Sequence, residues 1–185
     1  MKKTILFVAF LSALIVTGCK NGKVNKAINS VNEDSLAVDH SDSTIYGVCG
    51  EGTGMSVMQL LTDDGDTLNI LINDDSDESI VKGGTFVGDR MAVIASKQDG
   101  DWVATEVINV NSLIGKWTSI DKNFDILEGG EVKSNVKAES KPWTSWKIYN
   151  GKLVLNRDTF DIDDLGADSL YIENHDGIFT FKRQK

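Results

Sequence analysis

The chain is poor in the residues that would make its chemistry easy to name. Its 185 residues include one proline, two cysteines and two histidines. Two cysteines cannot form the disulfide framework that staples small secreted domains, and no Cys pair is spaced for zinc. His40 and His175 stand far apart, with no second ligand at metal-binding spacing. There is no Gly-x-Ser-x-Gly elbow, no phosphate loop and no dinucleotide fingerprint. Carboxylates are too plentiful to single one pair out as an acid/base couple. No catalysis, metal centre or cofactor is therefore expected.

Basic side chains are also in short supply. Lys and Arg total 19 against 28 Asp and Glu, a formal net charge of −9. That balance argues against nucleic acid and anionic lipid headgroups as partners, since both reward cations. Only one long apolar run exists, from Ile5 to Val16, interrupted by Ser12 alone. It is too short to span a bilayer stably, which takes about 20 apolar residues. Met1-Lys2-Lys3 before it and small residues after it make a secretory signal over residues 1–18. Removing the signal takes away Lys2 and Lys3 and no acid, so the mature chain is more acidic still.

Val16-Thr17-Gly18-Cys19 resembles a bacterial lipobox, in which the cysteine becomes the first mature residue and carries lipid. The resemblance implies a membrane anchor through Cys19 and an outer-membrane address. Bacteroides-type lipoproteins exported to the cell surface carry an acidic run after this cysteine. Lys20-Asn21-Gly22-Lys23 lacks one, which favours the periplasmic face. Residues 19–43 then read as a flexible tether, with too little apolar surface to offset the entropy of ordering. A flexible chain of about 24 residues reaches on the order of 25–30 Å. With Cys19 acylated, Cys49 has no partner, and its alternating surroundings make it a buried core thiol.

From Thr44 onward the pattern is β. Period-two alternation appears in Leu68–Ile72, Met91–Ile94 and Trp102–Val107, separated by Asp/Gly turns. A second series runs through Gly115-Lys116-Trp117, Phe124–Leu127, Trp143–Ile148, Leu153–Leu155, Thr159–Ile162, Ser169–Ile172 and Ile178–Phe181. Asn150-Gly151 between two apolar runs is the strongest hairpin signal. Turns every 8–12 residues predict an all-β chain of two small antiparallel barrels, covering residues 44–110 and 111–185. The boundary near Asn109-Val110-Asn111-Ser112 is short, so the two blocks should pack together.

Two resemblances follow from particular residues. Tyr46-Gly47-Val48, Asp66-Thr67-Leu68 and Gly88-Asp89-Arg90-Met91-Ala92-Val93 look like the strand entries of an OB-like five-stranded barrel. Leu113-Ile114-Gly115-Lys116-Trp117, the Trp143/Trp146 segment and Asp168-Ser169-Leu170-Tyr171 resemble the short lipocalin-like domains of Bacteroides-type lipoproteins. The second resemblance implies an eight-stranded barrel with Trp117 plugging one end.

Among candidate sites, Trp143 and Trp146 stand out as a possible aromatic wall for a ligand, because indole offers a large apolar face and one donor. Three positions apart on a strand, they should point to opposite faces, one into the barrel and one outward or toward the other domain. Short strands and large apolar residues favour a filled barrel interior. The acidic run Asn73-Asp74-Asp75-Ser76-Asp77-Glu78 lacks the EF-hand spacing and reads as a solvated hairpin tip. The expected function is a non-enzymatic, lipid-anchored envelope lipoprotein acting as a binding or protein-interaction module, its partner an unknown envelope protein or a small apolar ligand. The alternative is a carrier of a small apolar ligand in the second barrel.

Overall fold

A computed structural model describes residues 41–72 and 79–185. Cys19, the signal, most of the tether, His40 and the acidic run 73–78 lie outside the described residues.

The first block forms a closed five-stranded barrel. β1 (Ile45–Cys49) pairs antiparallel with β2 (Val57–Thr62) and with β5 (Arg90–Gln98). β2 pairs with β3 (Thr67–Leu71), and β5 with β6 (Asp101–Asn109). The ring closes through a parallel contact between β3 and β6, Ile70 opposite Trp102 and Leu71 opposite Val103. A two-residue strand, β4 (Val81–Lys82), lies parallel to the far end of β6. The barrel is therefore mixed rather than purely antiparallel. The reason is arithmetic: directions cannot alternate all the way around a closed ring with an odd number of strands.

Alternating residues fill this barrel: Cys49, Met58, Leu60, Ile70, Met91, Val93 and Val107 are all buried inside one cluster. Cys49 is a core thiol as expected, with Sγ 3.3 Å from Thr53 Oγ1. Ala92 and Ile108, one position out of phase with Met91 and Val107, are buried in the other cluster, with the second barrel's core. β5 and β6 are thus apolar on both faces over part of their length, one face toward each barrel. A register shift between Ile94 and Ala95 lets the rest of β5 leave that joint.

The second block is an up-and-down ring of eight short strands. In order these are β7 (Gly115–Thr118), β8 (Asn123–Ile126), β9 (Val132–Ser134), β10 (Trp146–Tyr149), β11 (Lys152–Leu155), β12 (Asp158–Leu165), β13 (Ser169–Asn174) and β14 (Gly177–Arg183). From β7 to β9 and from β10 to β14 each pairs antiparallel with the next, and β14 returns to β7. Between β9 and β10 the ring is nearly closed, by the Glu131–Ser145 bridge and a bond from Val132 N–H to Thr144 O (3.0 Å). Asn150 and Gly151, both at positive φ, make the expected two-residue hairpin between β10 and β11.

The interior of this ring is filled by aromatic rings. Phe124 meets Trp143 and Phe181 edge-on with centroids 5.1 Å apart, and Trp143 meets Phe160 at 5.9 Å. Trp117 is buried at one end, its indole N–H donating to Leu113 O at 2.9 Å. Arg183 lies over its ring at 4.2 Å and donates to the carbonyls of Ser112, Ile114 and Ala167. A side chain at Gly115 (φ +149°) would place its Cβ 2.2 Å from the Arg183 guanidinium. The glycine in Gly-Lys-Trp is there so that Arg183 can seal the plug.

No linker separates the barrels. After Asn109 a single helical turn, α1 (Val110–Leu113), leads into β7. Asn109 is buried, caps that turn by accepting from Ser112 N–H, and donates to Gly84 O and Asp89 Oδ2. Lys82 is also buried, and its ammonium donates to Asp163 O of β12 at 2.6 Å. Tyr46 Oη donates to Ile148 O at 2.8 Å. These polar ties flank the apolar joint made by Ala92, Ile108 and Val110.

Candidate functional site

The ring of the second barrel has a gap where its strands differ in length. β14 has seven residues and β7 four, so β7 pairs with it only at Thr118–Lys182 and Trp117–Arg183. Beyond Thr118 the chain turns away: Ser119 N–H donates to Lys122 O (2.7 Å), and Lys122 N–H to Ser119 Oγ (3.1 Å). The start of β14 is left overhanging. Backbone direction along it follows from its bonds. Arg183 N–H donates to Asp168 O, toward β13, while Gln184 N–H donates to Lys116 O, on the β7 side. Even-numbered residues therefore address the β7 side. The N–H and C=O of Ile178 and Thr180 face the gap, and among the described residues no backbone group meets them there.

Beside this edge lies an open cleft of about 700 Å³, bounded by Ser119–Lys122, Trp143 and Ile178–Lys182. Ile120, at the tip of one lip, is fully exposed, and Ile178 on the other is 65 % exposed. The inner wall is aromatic: Phe179 is partly exposed there, with the nearly buried Phe181 and Trp143 beside it. Apolar groups held in water on a concave surface mark a place where something binds.

Trp143 does not stand on a strand. It lies in the segment before β10, so the strand-face argument does not apply to it, although it does point into the barrel. Asn156 holds that segment, donating to Pro142 O (3.0 Å) and accepting from the N–H groups of Thr144 (2.8 Å) and Ser145 (3.2 Å). Lys122 lies 4.4 Å from the centre of the Trp143 ring and forms an ion pair with Glu139, which also accepts from Ser134 Oγ. The bonds from Lys122 and Ser134 hold the Glu139 carboxyl below its ordinary range. Together they fix the loop that carries Trp143 against the β7–β8 turn.

Trp146 belongs elsewhere. It is half-buried beside a second cleft of about 530 Å³ at the joint, with Tyr46 and Arg90 from one barrel, Ile148 from the other, and Val110 and Ile114 between. Its indole N–H donates to Leu127 O (2.7 Å), and Tyr46 Oη is likewise used internally. Burial, followed by the charge of Asp42, holds the Tyr46 phenol above its ordinary range. The structure thus puts the two tryptophans in separate clefts, and a single wall built from both is not formed.

Three features here were not read from the sequence: Arg183, the overhang of β14 and the two exposed isoleucines. Ile120 and Ile178 each sit beside turn residues, and an isoleucine at a turn tip is the one signal that could have drawn attention. His175 lies in the β13–β14 turn, exposed beside Asp176. Among the described residues no three His, Cys, Asp or Glu side chains converge to hold a metal ion.

The chain matches no family model, no curated protein and no solved structure.

Proposed function

We infer that this chain is a lipid-anchored lipoprotein of the cell envelope, tethered through Cys19 and acting as a non-enzymatic protein-interaction module. Its second barrel is read as a short lipocalin-like domain of the Bacteroides lipoprotein type, on the periplasmic face of the outer membrane. One observation carries the interaction reading: an unpaired strand edge and an apolar cleft with exposed lips occur together, at Ile178–Phe181 and Ile120. Each alone is common on surfaces, but together they supply both the apolar burial and the backbone groups that a protein partner uses.

The carrier reading has one observation in its favour, the size and apolar wall of the same cleft. Against it, Trp117, Phe124, Trp143, Phe160 and Phe181 fill the barrel where a lipocalin-type ligand would sit.

Photo-crosslinking in the envelope of the source cells tests the choice. A benzophenone amino acid replaces Ile120 in one strain and Met55, a fully exposed residue of the first barrel, in another. The expected result is one discrete protein adduct at position 120 and none at 55. No adduct at 120, with a lipid or other small apolar molecule co-purifying in native mass spectrometry, transfers the cleft to the carrier reading. Absence of both removes the functional assignment of this site.

A further inference from the structure

We propose that the overhanging edge of β14 captures an extended peptide segment of its partner, which adds as a strand in the lane that β7 vacates and buries an apolar side chain in the cleft. This deepens the interaction reading above and rests on it.

The backbone supplies the first argument. Ile178 and Thr180 each turn an N–H and a C=O toward the gap, the alternation an added strand needs for two hydrogen-bonded positions. The lane is also continuous with an existing ladder, since the Thr118–Lys182 pair at its end already belongs to it. An incoming strand extends that pairing instead of founding a new sheet. Edges left open in native proteins are usually blunted by a bulge, a proline or a lysine. At Ile178 and Thr180 β14 has none of these, and Lys182 stands only where β7 already covers the strand.

The side chains supply the second. In a strand occupying the lane, successive residues point alternately inward and outward. An inward residue meets the partly exposed ring of Phe179, beside the nearly buried Phe181 and Trp143, which favours an apolar group. An outward residue near the lane's closed end lies beside Lys182. This lysine is exposed and has no ion pair among the described residues, in contrast to Lys122, which is paired with Glu139. The charge at that end therefore suits an acidic residue, and the segment is one in which apolar and acidic residues alternate.

A second copy of this chain fits less well. The overhang from Ile178 to Phe181 spans only about 13 Å of strand, and a stable dimer buries roughly 1,200–2,000 Å². A two-fold contact would also set one concave cleft against another, leaving both unfilled.

The test uses the full chain with Cys19→Ser, so that it is obtained without lipid, and a fluorescein-labelled hexapeptide of alternating leucine and glutamate. Its counterpart has the same side chains, but backbone N-methyl groups on every residue remove the donors on both edges of the strand and so abolish strand pairing. Fluorescence anisotropy should show the first peptide binding and the N-methylated one at least tenfold weaker. Thr180→Pro, which removes an N–H that β13 does not use, should weaken binding at least tenfold, while Thr180→Val stays within twofold. If Thr180→Pro does not fold, the N-methylated peptide decides alone. Equal binding of the two peptides overturns the proposal. So does laurate binding without peptide binding, no binding of any probe, or a concentration-dependent dimer that excludes the peptide. An adduct at position 120 combined with peptide failure leaves the interaction module standing and removes only strand capture.

Discussion

The two barrels solve the problem of closing a small sheet in different ways, and the difference locates the candidate site. Five strands close only by accepting one parallel contact, and β3 and β6 provide it at Ile70–Trp102 and Leu71–Val103. That ring is filled mainly with aliphatic side chains. Eight strands allow every neighbour to be antiparallel, but here they are short and unequal: β9 and β10 meet through one isolated bridge, and β14 overhangs β7. Its interior compensates with aromatic bulk and an arginine-sealed tryptophan. The five-stranded ring buries part of its outer face, at Ala92 and Ile108, against its neighbour, and the eight-stranded one keeps an overhanging edge. Structure and candidate function are divided between them accordingly.

The largest expected effect breaks the second barrel through its plug. Trp117→Ala removes a fully buried indole and the surface on which Arg183 rests, at a cost of about 3–5 kcal/mol. Leu60→Ala in the first barrel should cost about 2–5 kcal/mol. Ala92, Ile108 and Val110 share one buried cluster with the second barrel's core, so each variant should still unfold in a single transition. Urea unfolding followed by far-UV circular dichroism and by tryptophan fluorescence measures both. Non-coincident curves for Leu60→Ala would mean that the barrels unfold separately and that the joint is weaker than its burial indicates.

Legibility in the sequence divides along the same line. Local signals carried most strands of both barrels, the Asn150-Gly151 hairpin and the burial of Trp117 and Cys49. Ala92 and Ile108 were harder, because β5 and β6 are buried on both faces and their apolar residues run together. β2, β4 and β9 show no alternation of their own: Val57–Thr62 has apolar residues side by side, and Val81-Lys82 and Val132-Lys133-Ser134 are too short for a period to show. The neighbours of Trp143 predict a strand there, but Asn156, a residue of the next hairpin, holds it in a loop. The site itself was the least legible part. An overhang is a difference between two strands about sixty residues apart, and neither strand encodes it alone.

A smaller effect sharpens the account of the joint. Lys82 is buried with its ammonium on Asp163 O, a tie between β4 and β12. Lys82→Met keeps most of the apolar stem and removes that donor, for an expected loss of about 1–3 kcal/mol. Unfolding should remain a single transition by both probes. A loss near zero would assign the stability of the joint to Ala92, Ile108 and Val110 alone.

The smallest effect compares one ion pair from each barrel as pH falls. Arg90, bonded to Asp63 in the first, and Lys122 and Ser134, bonded to Glu139 in the second, hold both carboxyls below their ordinary values near 3.8 and 4.5. A lowered folded pKa means that the unfolded chain takes up the proton first. The stability each pair contributes is therefore complete above the ordinary value and is lost as pH falls through the lower folded one. The pairs differ in exposure. Arg90 and Asp63 are 39 % and 53 % exposed, whereas Lys122 and Glu139 are 27 % and 14 %. Solvent screens the first pair more, so Asp63→Asn should cost little at any pH, and Glu139→Gln up to about 1 kcal/mol at neutral pH. The difference between wild type and Glu139→Gln should shrink toward zero as urea titrations move below pH 4. Because Glu139 holds the Trp143 loop, acrylamide quenching of the native protein should rise over the same interval in wild type. In Glu139→Gln it should be high already at neutral pH. A flat quenching profile in both would mean that Asn156 alone fixes Trp143, and that the wall of the cleft is rigid without the ion pair.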